Sequence, residues 1–277
     1  MTEKVAIGIA AYGQQHQHWW SSLAITASTL NFYDIKLTNI FTSVSMNTDS
    51  NRNTIADRFL KSEADWLLWI DTDNTIPLGG VRRLLDAQKE IIGGLYFQRL
   101  EPYLPVAYLR NPNGRYSNIK DWNRGELLPV DALGMGATLT HRCVYDKIRE
   151  NYRVFQRWTG GITTVHKDEF SGELRTTFPK NPKPYVKGSQ YHEWLIVPEE
   201  ASMRYFPYFM LEFGRTEDMW LYETAIRVGF QPYVDTSVEC QHLSDKAVCG
   251  DTYREHILKT ETGNVTLTEY DVEIDNE

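Results

Sequence analysis

The stretch that decides the fold is Trp66-Leu67-Leu68-Trp69-Ile70, followed at once by Asp71-Thr72-Asp73-Asn74. Five consecutive apolar residues bounded by aspartates are typical of a strand that is buried on both faces of a parallel sheet. The abrupt change to acidic residues predicts that the strand ends there and that the chain enters a loop at the edge of the sheet.

On either side of this stretch, apolar segments alternate between strand and helix patterns. Short apolar runs predict strands, and apolar residues at helical spacing predict helices. The predicted strands are 5–12, 35–44, 91–97, 130–140 and 233–240, and the predicted helices are 17–30, 51–61, a helix opened by Pro77, and 216–228. Such alternation requires crossover connections, so we predict an α/β fold with a mixed, mainly parallel sheet flanked by helices.

Other segments define the domain organisation. Residues 99–129 are rich in Pro, Asn, Tyr and Arg and predict short hairpins, whereas residues 150–200 are irregular and predict a long loop. We therefore expect a single domain over residues 1–245 and an acidic C-terminal tail over residues 246–277.

Composition excludes several classes of protein. The chain has 277 residues, of which 42% are apolar and 24% charged, so whole-chain disorder is excluded. No apolar run approaches the ~20 residues of a membrane span, and the N-terminus shows no secretory leader pattern. Three cysteines suggest reduced thiols, and we expect a cytoplasmic protein without a membrane span. The net charge of −8 argues against broad, non-specific affinity for nucleic acids.

Asp71 and Asp73 are the first candidates for chemistry. In α/β sheets ligands bind beyond the carboxyl ends of the strands, which is where these residues and Tyr12 are predicted to lie. Two carboxylates at this spacing can bind one hard cation together with the oxygens of a diphosphate. The alternative is an Asx-turn that closes the strand.

Three further groups have a functional and a structural interpretation. His242 follows the strand at 233–240 and could be a third ligand of Mn²⁺, or an ordinary core or surface histidine. Glu217 and Asp218 open a helix, where acidic residues are favoured in any case, but Asp218 could serve as a general base. Gly134 and Gly136 would let the backbone approach a ligand closely, or mark a bulge or tight packing.

Taken in order, these segments resemble the glycosyltransferases of GT-A (Rossmann-like) fold, close to the large family-2-like group. The resemblance rests on VAIGIAAYG, SNRNTIADRFL, WLLWIDTDN, IIGGLYFQR, VDALGMGATLTHR, GRTEDMWLYETAIRVGF and VDTSVECQHL, and covers most of residues 4–245. The IIGGLYFQR and VDALGMGATL segments are similar to compact members encoded by bacteriophages, which would place the protein in the host cytoplasm.

The resemblance implies a role for each matching residue. Glu217 and Asp218 match the catalytic acidic pair, with Asp218 as the base of an inverting displacement. Asp71, Asp73 and His242 match the ligands of a Mn²⁺ or Mg²⁺ ion. The positions that match nucleotide-sugar binding are Ala11, Tyr12, Arg52, Asn53, Asp71, Thr72, Gly134, Met135 and Gly136.

The implied reaction moves a hexosyl or pentosyl group from a nucleoside-diphosphate sugar, with UDP-sugars favoured, to a hydroxyl acceptor. The acceptor would be a glycan, a small molecule or modified DNA, with residues 150–200 on the acceptor side. One alternative is a phage DNA glycosyltransferase that acts on hydroxymethylated bases. Its strand would contact the basic residues 180–187 and the rings of Trp194, Tyr205, Phe206, Tyr208 and Phe209. Further alternatives are a non-catalytic nucleotide-sugar-binding or assembly protein of the same fold, and a nucleotidyltransferase.

Overall fold

The computed structural model describes residues 2–11, 17–45, 47–158, 161–167, 174–177, 193–198, 205–211, 216–244 and 247–261. Within these residues the strands are β1 Glu3–Ala11, β2 Ile35–Val44, β3 Trp66–Ile70, β4 Asn74–Thr75, β5 Ile91–Leu95, β6 Ala107–Arg110, β7 Tyr116–Asn118, β8 Leu127–Pro129, β9 Ala132–Leu133, β10 Ala137–His141, β11 Tyr152–Trp158, β12 Gly161–Lys167, β13 Leu174–Thr177, β14 Glu193–Pro198, β15 Tyr233–Glu239, β16 Gln241–Leu243 and β17 Ala247–Val248. The α-helices are α1 Gln17–Thr29, α2 Thr48–Leu60, α3 Gly80–Asp86, α4 Arg142–Asn151, α5 Glu217–Arg227 and α6 Gly250–Glu261.

A seven-stranded mixed sheet forms the centre of the molecule, in the order β2-β1-β3-β10-β5-β15-β8. β1 runs parallel to β2 and β3, and β5 runs parallel to β15. Because β10 is antiparallel to both β3 and β5, those two strands also share one direction. The predicted α/β class is confirmed, and the carboxyl ends of β1, β3, β5 and β15 lie at the same edge of the sheet.

The decisive strand β3 is buried on both faces, as its unbroken apolar sequence predicts. Leu67 and Trp69 pack into one side of the core together with apolar residues of α2 and α5, such as Phe59 and Leu221. Leu68 and Ile70 pack into the other side with residues of α1 and α3. All four strand residues are at most 3% exposed. Helices therefore cover both faces and leave only the strand ends open for a site.

Two predicted boundaries were wrong. The predicted strand over 130–140 is split into β9 and β10 by a turn at residues 134–136, because its two glycines let the chain bend there. The predicted long loop over 150–200 contains a second sheet in the order β13-β12-β11-β14, in which β12 pairs antiparallel with β11 and β13. The prolines at 179, 182 and 184, which suggested a loop, lie outside the described residues.

The predicted C-terminal tail also needs correction. Residues 250–261 form α6 rather than part of an acidic tail, and His256 of this helix is buried. The acidic residues that suggested a tail lie beyond position 261, outside the described part of the chain. The hairpin expected within 99–129 is present, because β6 and β7 pair antiparallel. None of the helices described has the length and apolar character needed to cross a bilayer.

Candidate active site at the carboxyl edge of the sheet

Asp73 and His242 are brought together by strand pairing. β4 and β16 pair antiparallel, with His242 opposite Asn74, and the Leu243 amide donates to the Asp73 carbonyl over 2.6 Å. This register places His242 Nε2 at 3.3 Å from Asp73 Oδ2. The histidine predicted from its position after β15 thus meets the second aspartate of the D-x-D segment across a short sheet.

The hydrogen bonds of His242 leave Nε2 directed at the carboxylate. Its Nδ1 lies 2.8 Å from the Phe97 carbonyl, which can only accept, so Nδ1 carries a proton and donates. Nε2 therefore faces the Asp73 carboxylate as an N–H donor when the ring is protonated, and as a lone pair able to bind a metal ion when the ring is neutral. Arg99 Nη1 lies 3.2 Å from the same Oδ2. Burial opposes ionisation of Asp73, but His242 and Arg99 together lower its pKa.

Arg52 joins the D-x-D segment to the start of α5. The guanidinium is 3% exposed, and its Nη2 lies 3.0 and 3.2 Å from the two carboxylate oxygens of Asp71. Its Nε donates to Glu217 Oε1 over 2.9 Å. Burial raises the pKa of Asp71, an effect that Arg52 opposes. Although burial acts against it, the charges of Asp71 and Glu217 raise the pKa of Arg52. One buried cation therefore holds two of the predicted site acids in place.

Asp218 has the electrostatic setting of a general base. One carboxylate oxygen accepts hydrogen bonds from the Thr216 hydroxyl and from the Met219 amide, the latter over 2.9 Å. Burial, followed by the negative charge of Glu217, raises the pKa of Asp218 to about 6. A carboxylate with a pKa near 6 is ionised at neutral pH yet accepts a proton more readily than an ordinary aspartate.

Tyr96, the first residue after β5, shows that these groups face one region. Its hydroxyl accepts from the Gly136 amide over 3.2 Å, and its ring meets His242 edge-on at 5.5 Å. Burial raises the pKa of Tyr96 well above its usual value, and the charges of both Asp71 and Asp218 raise it further. Asp71, which follows β3, and Asp218 of α5 thus both lie near enough to Tyr96 for their charges to affect its phenol.

Packing accounts for the glycines of the turn at 134–136. A Cβ on Gly134 would lie 1.8 Å from the Tyr96 hydroxyl, and one on Gly136 would lie 2.4 Å from the Asn74 amide nitrogen. The Met135 side chain is 1% exposed, so it belongs to the core. The Gly136 carbonyl accepts from the Asp71 amide over 3.2 Å, which places the turn beside the D-x-D segment. The predicted contact of this turn with a donor sugar stays a prediction.

The other predicted nucleotide-sugar residues have different surroundings. The Asn53 side chain is occupied by the backbone of Phe209, donating to its carbonyl over 2.7 Å and accepting from its amide over 2.9 Å. Ala11 ends β1 at the same sheet edge, and Thr72 is half-buried between the two aspartates. Tyr12 lies outside the described residues.

The predicted three-ligand metal site is only partly assembled. The described part of the chain contains no group of three or more His, Cys, Asp and Glu side chains arranged to hold a metal ion. Asp73 and His242 supply a carboxylate oxygen and an imidazole nitrogen that face each other, a donor pair that suits Mn²⁺. Asp71 instead turns toward Arg52. The pair fits an ion whose remaining ligands come from a substrate diphosphate and water.

Sequence reasoning assigned no role to Arg99 and Tyr96, and it assigned Arg52 to the nucleotide rather than to the acids. Both missed residues lie in the IIGGLYFQR segment that directly follows β5. The signal was their place after a parallel strand, the same signal that identified Asp71. The partners of Arg52 could not be predicted from the local sequence, because Glu217 lies 165 positions away along the chain.

Replacing Arg52 with methionine is expected to lower the free energy of unfolding by about 3–5 kcal/mol, because two largely buried carboxylates lose their shared cation. Chemical denaturation measures the effect. The matched control is Arg82→Met, which breaks a surface pair with Asp86 and should cost less than about 1 kcal/mol. Equal losses in the two variants would show that the buried pairings contribute no more than a surface pair.

Comparisons with known proteins give only distant structural likenesses. No family model matches the chain, and no curated protein matches it. Among solved structures, A197 from STIV is similar at 15% identity and a TM-score of 0.48, over 90% of this chain and 91% of the other. S. aureus TarS 1-349 in complex with UDP-GlcNAc is similar at 12% identity and a TM-score of 0.37, over 96% and 68%. A glycosyltransferase involved in glycosylation of the major capsid of PBCV-1 is similar at 11% identity and a TM-score of 0.29, over 51% and 61%.

Proposed function

We propose that the protein is a glycosyltransferase of GT-A type that uses a nucleoside-diphosphate sugar, with UDP-sugars favoured. The observation that carries the proposal is that two sets of paired acidic side chains lie at one edge of the sheet. Asp73 pairs with His242 there, and Arg52 links Asp71 to Glu217 at the start of α5. The sequence resemblance assigns these positions to donor binding and catalysis.

The metal expected from the resemblance is Mn²⁺ or Mg²⁺. Asp73 and His242 would hold it, while Asp71 would stay paired with Arg52 beside them. When bound, the ion would compensate the negative charge that develops on the departing diphosphate. Arg99 adds a positive charge beside the Asp73 carboxylate, 3.2 Å from Oδ2.

The residues of this chain would act on the acceptor and on the geometry of the site. The acceptor oxygen would bond to the anomeric carbon, the bond from that carbon to the diphosphate oxygen would break, and Asp218 would take the hydroxyl proton. Thr216 and the Met219 amide orient the Asp218 carboxylate. Arg52 acts as a positioning residue, because it fixes Glu217 beside Asp218 and Asp71 at the end of β3. Attack opposite the leaving group would invert the anomeric configuration.

The described residues do not favour DNA as the acceptor. Tyr208 and Phe209, two of the rings expected to stack on a strand, are each 1% exposed. They pack edge-on against Tyr145 and Trp69 in the core, so they are not free to stack on bases. Residues 180–187 lie outside the described residues, as does the side chain of Trp194.

A donor screen tests the proposal. The purified full chain is incubated with UDP-, GDP-, dTDP- and ADP-sugars in the presence of Mn²⁺, and release of nucleoside diphosphate is measured with and without a mixture of glycan acceptors. We expect release from one donor class, stimulated by acceptor and lost on addition of a chelator. Absence of release from every donor under all of these conditions would contradict the proposal.

A further inference from the structure

A cavity lies apart from the D-x-D segment. It occupies about 620 Å³ between residues 120–126, the end of β15 and the start of α6. Cavities of this size hold ligands as large as a small oligosaccharide. None of the residues expected to bind donor or metal lines it.

Aromatic rings form one wall of this cavity. Trp122 and Tyr253 line it and stack with centroids 5.7 Å apart and planes 28° apart. Behind them Phe97, which is 1% exposed, stacks on Tyr253 at 5.2 Å. Trp122 and Tyr253 are only half-buried, so each combines a fixed position with accessible surface. Rigid amphipathic rings of this kind provide apolar contact area beside polar groups at low entropic cost.

The rim of the cavity offers both hydrogen-bond donors and acceptors. Lys120 and Arg124 can only donate, and Asp121 can only accept when it is ionised. All three are exposed, and none forms a hydrogen bond or ion pair with another side chain in the part of the chain that the structure describes. They are therefore available to a ligand.

The other charged groups that line the cavity already have hydrogen-bond or ion-pair partners. Arg254 lies 2.7 Å from Asp251 and 3.6 Å from Glu239, which also accepts from the Gly250 amide over 2.8 Å. Glu126 accepts from the Asn123 amide over 2.8 Å. The wall is thus fixed before any ligand arrives, which lowers the cost of binding.

The charges that line the cavity balance. Three basic residues, Lys120, Arg124 and Arg254, face three acidic ones, Asp121, Glu126 and Glu239. A phosphate or a cation would meet as much repulsion as attraction there. A neutral ligand with several hydroxyls can donate to and accept from the charged groups of the rim. If it also has a C–H face, that face can pack on the aromatic rings of the wall.

From this combination we infer that the cavity is a carbohydrate-binding site for neutral sugars, separate from the D-x-D centre. The inference does not depend on the transfer reaction, because binding here needs neither donor nor metal. A contact connects the two places, since the carbonyl of Phe97 accepts from His242 while its ring stacks on Tyr253.

Saturation-transfer NMR on the full chain tests the inference without donor or metal. The probes are maltotriose, cellotriose, chitotriose and mannotriose, with inorganic phosphate as a separate arm. We expect at least one sugar to receive saturation, and Trp122→Ala to weaken its binding by about tenfold. Trp20→Ala is the matched control, because Trp20 is 55% exposed on α1 and should leave binding unchanged.

Variants at the rim and at the D-x-D segment complete the test. Asp121→Ala removes an exposed side chain, so it should weaken binding without disturbing the fold even if Trp122→Ala does not fold. Asp73→Asn should bind the sugar with wild-type affinity, because Asp73 does not line the cavity. This result would separate the sugar site from the proposed active site. The inference is overturned if no sugar binds, or if sugar binding is unchanged in both Asp121→Ala and Trp122→Ala. It is also overturned if inorganic phosphate binds and none of the sugars does.

Discussion

Asp218→Asn is expected to lower the rate of sugar transfer by about 10²- to 10⁴-fold while leaving donor affinity unchanged. Asparagine can keep the hydrogen bond from the Met219 amide but cannot take a proton from an acceptor hydroxyl. Transfer kinetics and equilibrium binding of the donor, measured on the same preparation, separate the two effects. Anomeric analysis of the wild-type product tests the inverting outcome alongside.

The pH dependence of kcat/KM should show the titration of Asp218. Because only the ionised carboxylate accepts the proton, kcat/KM should fall as the pH drops through about 6, the pKa of Asp218. The residual activity of Asp218→Asn should lack this inflection. Asp73 does not account for it, since its pKa is lowered rather than raised.

Asp86→Asn is the control for Asp218→Asn. Asp86 is an exposed aspartate at the end of α3, paired with Arg82 on the surface, and its change should leave transfer at the wild-type rate. Unchanged transfer by Asp218→Asn would show that another group acts as the base. Loss of donor binding in that variant would show that Asp218 acts on the donor rather than on the acceptor.

Asp73→Ala is expected to abolish metal-dependent turnover, with a loss of about 10³-fold or more. The substitution removes the carboxylate that faces His242 Nε2, and with it half of the donor pair that would hold the ion. Release of nucleoside diphosphate at increasing Mn²⁺ concentration measures the effect.

Asp86→Ala controls for the loss of a carboxylate elsewhere, and thermal unfolding checks that Asp73→Ala remains folded. Excess Mn²⁺ should not restore Asp73→Ala to wild-type turnover. Full activity of the purified, folded variant would remove the metal-binding role from Asp73 and would contradict the assignment of the D-x-D segment.

The sequence was most informative where a local pattern has one structural solution. Trp66–Ile70 has no polar face, which predicted a strand buried on both faces, and the change to aspartate predicted its end. The topology of parallel strands then predicted that Asp71 and Asp73 would share an edge with the residues after β1, and left the place of His242 open. The structure shows that edge, with His242 against Asp73.

Contacts between side chains distant in sequence could not be predicted in the same way. Arg52 was assigned to the nucleotide, yet it is buried between Asp71 and Glu217, a pairing that no local pattern reveals. Of the two interpretations of Gly134 and Gly136, the structure shows tight packing, against Tyr96 and Asn74 of this chain, while close approach to a ligand stays a prediction. The sheet within 150–200 was missed because its strands are short and a stretch with three prolines, 178–192, separates β13 from β14.

Calorimetric titration of nucleoside diphosphates into the full chain, with and without Mn²⁺, tests most directly whether this sheet edge is a nucleotide-sugar site. We expect one of UDP, GDP, dTDP and ADP to bind much more tightly with Mn²⁺ than without it, and Asp73→Asn to remove that difference. Binding that is equal with and without Mn²⁺, or no binding of any of the four, would contradict the account.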